Sequence, residues 1–214
     1  MKTFRFTLLA EGSSDRVLIP ILRWMLLHHH GSFDWIGQFA ELHELPRPPK
    51  GLSERISVTN EYFPSDILFI HRDADRESVE KRREEISSAF AETDGLEDLV
   101  WTPVIPVRMT EAWLLISETA LRSAVGNLHG KVSLSIPPIG KLEGVPNPKA
   151  VLEQHLIIAS ELTGRRRKKF HFPEHRARIP DFIDDWKQLL EVPSARRLFE
   201  EIGTLTFQSH HESS

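Results

Sequence analysis

Two aspartates that close an apolar run, Asp73 and Asp75, offer the clearest chemistry in this sequence. They end the segment Asp66-Ile-Leu-Phe-Ile-His-Arg-Asp73-Ala-Asp75. Side chains alternate along an extended strand, so residues two apart face the same way and could share one cation. Without a cation, two close carboxylates repel and one keeps its proton. A hard divalent ion such as Mg²⁺ removes that conflict and retains waters for a phosphate substrate. A surface turn between strand and helix is the competing reading, because Asp is frequent in turns. Two further acids stand in comparable places. Glu11 follows the apolar run at residues 4–10 as Glu11-Gly12, and Glu111 follows another at 99–107.

The elements that must position these acids follow from hydrophobic patterning. Residues 4–10 read as a strand, and 11–15 as a Gly-containing turn with Ser or Asp to cap a helix. A broadly apolar helix covers 17–27, with its main part from Pro20, since proline suits a first turn. Residues 30–50 read as irregular. A helix at 52–62 precedes a second strand at 67–71, and a charged helix spans 76–93. The third strand, 99–107, contains Pro103 and Pro106, which argue for an edge position or a bulge. Thr110 then caps a helix that begins at Glu111. Alternating strand and helix predicts an α/β, Rossmann-like, mostly parallel sheet flanked by helices. Ligands of such sheets lie beyond the carboxyl ends of the strands, where Glu11, Asp73, Asp75 and Glu111 would share one rim.

The second half is less regular. Residues 132–148 read as a Pro- and Gly-rich loop or flap, and 148–162 as a helix. The basic run Arg165, Arg166, Arg167, Lys168 and Lys169 is expected to end that helix, with Arg176 and Arg178 continuing its basic character. Helices are expected near 180–191 and 194–202. This gives a core over residues 1–120, a helical extension over 121–207 packed on it, and a disordered tail over 208–214.

The 214 residues are 40% hydrophobic and 27% charged, with no cysteine and a formal net charge of −4. That length fits one domain with a sizeable core and a small appendage. Absent cysteine excludes disulfides and thiolate metal sites and agrees with a reducing cytoplasm. No apolar stretch reaches membrane-span length, and no secretory signal is evident. The acidic balance argues against indiscriminate nucleic-acid binding, while leaving room for a local basic groove.

The order Glu11-Gly12, then Asp73-x-Asp75, each after an apolar strand, resembles the TOPRIM domain of topoisomerases, primases and OLD-family nucleases. The run Ile105-Pro-Val-Arg-Met-Thr-Glu111-Ala-Trp-Leu-Leu115 is similar to one in small bacterial TOPRIM-like proteins. The resemblance covers residues 4–117. It implies a Mg²⁺- or Mn²⁺-dependent phosphodiester reaction, with Asp73 and Asp75 holding the metal and Glu11 acting as ligand or general acid/base. Glu111 would be a further ligand, or else a helix N-terminal acid that complements the macrodipole. The only tyrosine, Tyr62, precedes the second strand, so a topoisomerase nucleophile is missing, and hydrolysis by water is the expected chemistry. The resemblance also implies nucleic acid as partner, an antiviral-defence setting and, with no ATPase motif in the chain, a separately encoded ATPase or sensor. It leaves an oligomer open.

Other residues carry two readings each. Lys149 could neutralise a phosphate or be a solvated first-turn lysine. Arg72 and Arg108 could bind phosphate or balance the neighbouring acids. Arg165, Arg166, Arg167, Lys168 and Lys169 could touch nucleic-acid phosphates or form a solvated charged face. His28, His29 and His30 end a helix and point different ways, so favourable placement at its C-terminus is expected rather than one metal site. His71 either touches the metal shell or packs in its strand. A nucleotide-sugar transferase would leave Glu11-Gly12 unexplained, and a HAD-type phosphatase would want its Asp-x-Asp after the first strand. The stronger alternative is a non-catalytic TOPRIM binding module acting with a partner protein.

Overall fold

The structure, a computed structural model, describes residues 2–207. The tail expected from residue 208 lies outside the described residues. Four parallel strands form one sheet in the order β2-β1-β3-β4: β1 (Thr3–Leu9), β2 (Asp34–Phe39), β3 (Ile67–His71) and β4 (Val100–Val104). Helices α1 (Leu18–His29), α2 (Leu52–Tyr62) and α3 (Val79–Ala91) connect them. The α/β class and the parallel sheet flanked by helices agree with the sequence reading.

Alternation along the strands sorts the core into two layers. Phe4, Phe6, Leu8, Ile67 and Phe69 pack with α1 residues Leu18, Ile21, Leu22, Met25 and Leu26. Leu9, Leu68 and Ile70 point the other way, against Ile56 of α2 and Ile86 and Ala89 of α3. Burial of each large aliphatic side chain contributes about 1.5–3 kcal/mol relative to exposure. Because β1 and β3 are covered on both faces, their sequences read as near-continuous apolar runs.

Strand β2 corrects the irregular segment expected at 30–50. Its sequence, Asp-Trp-Ile-Gly-Gln-Phe, interrupts the strand pattern with Gly37. A Cβ at Gly37 would collide with the Phe6 ring and Ile19. The glycine that hides the strand in the sequence is therefore what lets it lie against β1. Strand β4 ends earlier than expected, and it is an edge strand that contains Pro103, as the prolines argued.

The remaining chain adds α4 (Glu111–Leu114), α5 (Glu118–Ala124), α6 (Pro148–Ser160), α7 (Gly164–Lys168), α8 (Phe172–Arg178) and α9 (Pro193–Thr204). Helix α6 begins with Pro148 in its first turn and Asn147 capping the Ala150 amide at 3.0 Å, and it stops where Glu161 turns left-handed (φ 51°). The basic run does not end this helix; it forms the separate short helix α7. Helix α8 lies where no element was expected, and the helix expected near 180–191 is two 3₁₀ turns, Ile179–Phe182 and Lys187–Glu191. Residues of α4–α6, α8 and α9 join the same core as α1, so the extension packs on one face of the sheet. No helix among the described residues is long and apolar enough to cross a membrane.

Candidate active site at the sheet rim

Chains leave β1 and β3 in opposite directions, toward β2 and toward β4. The crevice between the carboxyl ends of β1 and β3 is thus the topological switch point, where open α/β sheets take ligands. Glu11 stands just past β1 and Asp73 just past β3, one on each side of it.

Asp73 is held from within. Its Oδ1 accepts from the Thr110 amide at 2.9 Å, from Thr110 Oγ1 at 3.3 Å, and lies 3.3 Å from His71 Nε2. Thr110 Oγ1 is itself 3.0 Å from His71 Nε2. Thr110 therefore reaches the site with its side chain rather than capping its own helix. His71, 2% exposed, points its Nδ1 at Asp15 Oδ2 across 3.5 Å. Burial alone would keep the imidazole neutral. The hydrogen bond to Asp73 and the charges of Asp73, Asp15 and Glu11 outweigh it and raise the His71 pKa above its ordinary value. Asp15 is also raised, by burial first and by Asp73, against the pull of His71, Arg176 and the Gly12 amide.

Asp75 does not share this environment. The strand stops at His71, and Asp75 sits exposed in a turn with φ 55°. The expectation that Asp73 and Asp75 align along one extended strand is corrected by that turn. The Asp75 amide donates to the Arg108 carbonyl at 3.1 Å, and Arg108, also left-handed at φ 67°, donates back to the Asp75 carbonyl at 3.3 Å. A hollow of about 460 Å³ opens here, lined by Asp75, Arg76, Arg82, Arg108 and Asn147 among others. Arg76 and Arg82 were missed by motif reading because they lie in a charged stretch with no pattern of its own.

The other acids already have cations. Glu11 Oε1 accepts from both Nε and Nη2 of Arg72 at 2.9 Å, and Arg72 also pairs with Glu85. Arg72 therefore balances acids. Glu111, only 6% exposed, accepts from Arg176 Nε at 2.9 Å. Arg176 is 4% exposed, donates to the Ser14 carbonyl and lies 3.8 Å from Asp15 Oδ1. Arg176, read from the sequence as continuing the basic character of the 165–169 run, is buried here as a counter-ion. It lies four residues after Phe172 and three before Ile179, both buried, and that helical spacing was the available signal. Asp15, read from the sequence as a helix cap, belongs to the same interior group.

Beyond β2 a cleft of about 680 Å³ is lined by Lys149, Arg16, Glu41, His43 and Glu44 and also by Glu111, Phe172 and Arg176. Ligand atoms of Glu41, His43 and Glu44 lie within 4.8 Å of one another, the only such group among the described residues. Arg16 already contacts Glu41. The sequence reading missed these residues along with β2. Arg165, Arg166, Arg167 and Lys168 are exposed on α7 and Lys169 just after it, and none of them lines the hollow or the cleft. His28 and His29 end α1, and His30 Nε2 lies 2.9 Å from the Ile202 carbonyl, a structural placement.

No family model matches this chain, and neither a curated protein nor a solved structure matches it.

Proposed function

We propose that the crevice between β1 and β3 is the site of a metal-dependent phosphodiester hydrolysis on nucleic acid, with the TOPRIM-like motifs of the sequence as its chemical parts. The observation that carries this reading is the switch-point position of Glu11 and Asp73, flanked by the arginine-lined hollow at Asp75. Glu11 and Asp73 offer the carboxylate oxygens that a hard cation such as Mg²⁺ or Mn²⁺ prefers. Their ligand atoms and those of Asp75 do not converge within 4.8 Å of one another, so a cation here would have to draw Glu11 away from Arg72. Such a cation would supply an activated water and polarise a phosphoryl oxygen. Glu111 does not fit as a ligand, since its carboxylate is buried on Arg176.

The protein's own residues have distinct work in this reading. Thr110 and His71 fix one oxygen of Asp73 and leave its Oδ2 without a hydrogen bond among the described residues. Arg76 and Arg108 favour a phosphate backbone beside Asp75 by charge, with little sequence choice, while Arg82 in the same hollow is paired with Glu85 at 2.8 Å. Arg72 holds Glu11, so any cation that recruits Glu11 must compete with that guanidinium.

A second reading has its own support. Glu11, Asp73 and Glu111 each carry a cationic or hydrogen-bonding partner from this chain. Glu11 and Asp75 are exposed, so the cost of burying several acids together does not demand a metal. A binding module acting with a partner protein, without catalysis, needs nothing more. A cleavage assay separates the two. Plasmid, single-stranded DNA and structured RNA are incubated with Mg²⁺, Mn²⁺ or chelator, beside Asp73→Asn. The hydrolytic reading expects metal-dependent cutting that the variant loses; folded wild-type protein that cuts none of them leaves the binding module.

A further inference from the structure

The polar groups behind the rim form a ring, hydrogen-bonded on the Glu111 side and closed on the Asp15 side by charge contacts. These are 3.5 Å to His71 Nδ1, which has no hydrogen-bond partner among the described residues, and 3.8 Å to Arg176. From Asp73 the contacts run to His71, then to Asp15, then to Arg176 of α8, then to Glu111, and through the adjacent Thr110 amide back to Asp73. Four segments far apart in sequence meet in it: the loop after β1, the end of β3, the start of α4, and α8. Five of its six members are 8% exposed or less, Asp73 being half-buried, and Glu111 and Arg176 also touch the cleft beyond β2.

Arg176 is the member on which both arms depend. One arm reaches Asp73 through Asp15 and His71. The other reaches it through Glu111, whose neighbour Thr110 donates to Asp73 Oδ1 with both its amide and its hydroxyl. The third nitrogen of the guanidinium ties the Ser14 carbonyl, so the loop after β1 is fixed by the same side chain. A planar fork that hydrogen-bonds two acceptors and faces a third, Asp15, at 3.8 Å is a task for arginine that lysine cannot repeat. A buried cation is tolerable only with such partners, and two buried acids are tolerable only with the cation.

We infer that Arg176, from the C-terminal extension, is a positioning residue that sets the orientation of the Asp73 carboxylate through the two arms of this ring. The extension is then part of the site rather than a cover for one face of the sheet. The inference rests on Asp73 being the functional acid of the proposed reaction. The orientation of its carboxylate can nevertheless be followed without any activity.

Amide hydrogen exchange of the full chain is the test, read at Thr110 and compared with Leu8 and Phe69 in the strands. Two variants keep the fold within reach. Arg176→Lys retains the charge without the fork, and Glu111→Met with Arg176→Met replaces the ion pair by apolar side chains. Arg178→Gln, an exposed neighbour on α8, is the control. In both test variants the Thr110 amide should exchange about tenfold faster or more, while Leu8 and Phe69 keep wild-type protection. The thermal shift given by Mn²⁺ should shrink in parallel. A purely structural role would instead raise exchange at all three amides together. Unchanged Thr110 exchange in both folded variants, or equal loosening in Arg178→Gln, would overturn the inference. If wild-type protein gives neither a Mn²⁺ shift nor cleavage, the hydrolytic reading fails, and Thr110 exchange still decides the role of Arg176.

Discussion

Asp73 and Asp75 are two residues apart and belong to different regions of the molecule. Asp73 closes a ring of buried polar groups drawn from four segments, and one of its oxygens has three donors. Asp75 lies on an open turn, its backbone left-handed and its surroundings a hollow with three arginines. Sequence proximity made them look like a matched pair. Their environments differ: a carboxylate held by its neighbours at the crevice, and a solvated one on an open turn.

The largest effect expected from breaking that contrast is on stability. Arg176→Met alone strands Glu111 and Asp15 in the interior and should cost about 3–5 kcal/mol in urea unfolding. Most of that loss should return when Glu111→Met is added, as a double-mutant cycle would measure. Next in size is the direct comparison of the two acids. Asp73→Ala removes the acceptor of the Thr110 amide and should cost about 1–3 kcal/mol, the penalty of a buried unsatisfied donor. Asp75→Ala should stay within about 0.5–1 kcal/mol, the cost of an ordinary residue at positive φ. Equal losses at the two positions would erase the distinction drawn above.

The smallest effect is on pH dependence. The His71 pKa is raised in the folded protein, so the fold binds that proton more tightly than the unfolded chain does. Its contribution is fully present below about pH 6.5 and is lost as pH rises through the folded value. Stability measured from pH 6 upward should therefore decline in the wild type and decline less in His71→Gln. His155, buried in α6 with Nδ1 unpartnered, has a lowered pKa from burial, against the opposing charge of Glu118. Its contribution runs the other way and is lost as pH falls below about 6.5.

What the sequence made legible was whatever local pattern controls. Strands β1 and β3 are covered on both faces and read as apolar runs, and α2 and β3 lie at the residues expected. Helix α6 announced itself with Asn147 and Pro148. Strand β2 did not, because Gly37 serves a contact with Phe6, thirty-one positions earlier, which no local window contains. The site divided in the same way. Glu11, Asp73, Asp75 and Glu111 were found as acids after three apolar runs, and all three runs contain parallel strands ending at one rim. Their partners were not found as partners. Arg176 pairs with Glu111 across sixty-five residues and with Ser14 across one hundred and sixty-two. Helical spacing hinted that Arg176 is buried, and only the fold reveals which acids it neutralises.

The most direct test of the account locates a bound cation. Amide resonances of the full chain are followed during titration with Mn²⁺, which broadens signals near its binding position. Binding at the crevice predicts loss of signal first at Gly12, Asp73, Ala74 and Thr110, and retention of these signals under the same titration in Asp73→Asn. Broadening centred on Glu41, His43 and Glu44, with Gly12 and Thr110 untouched, would contradict a metal-dependent site between β1 and β3.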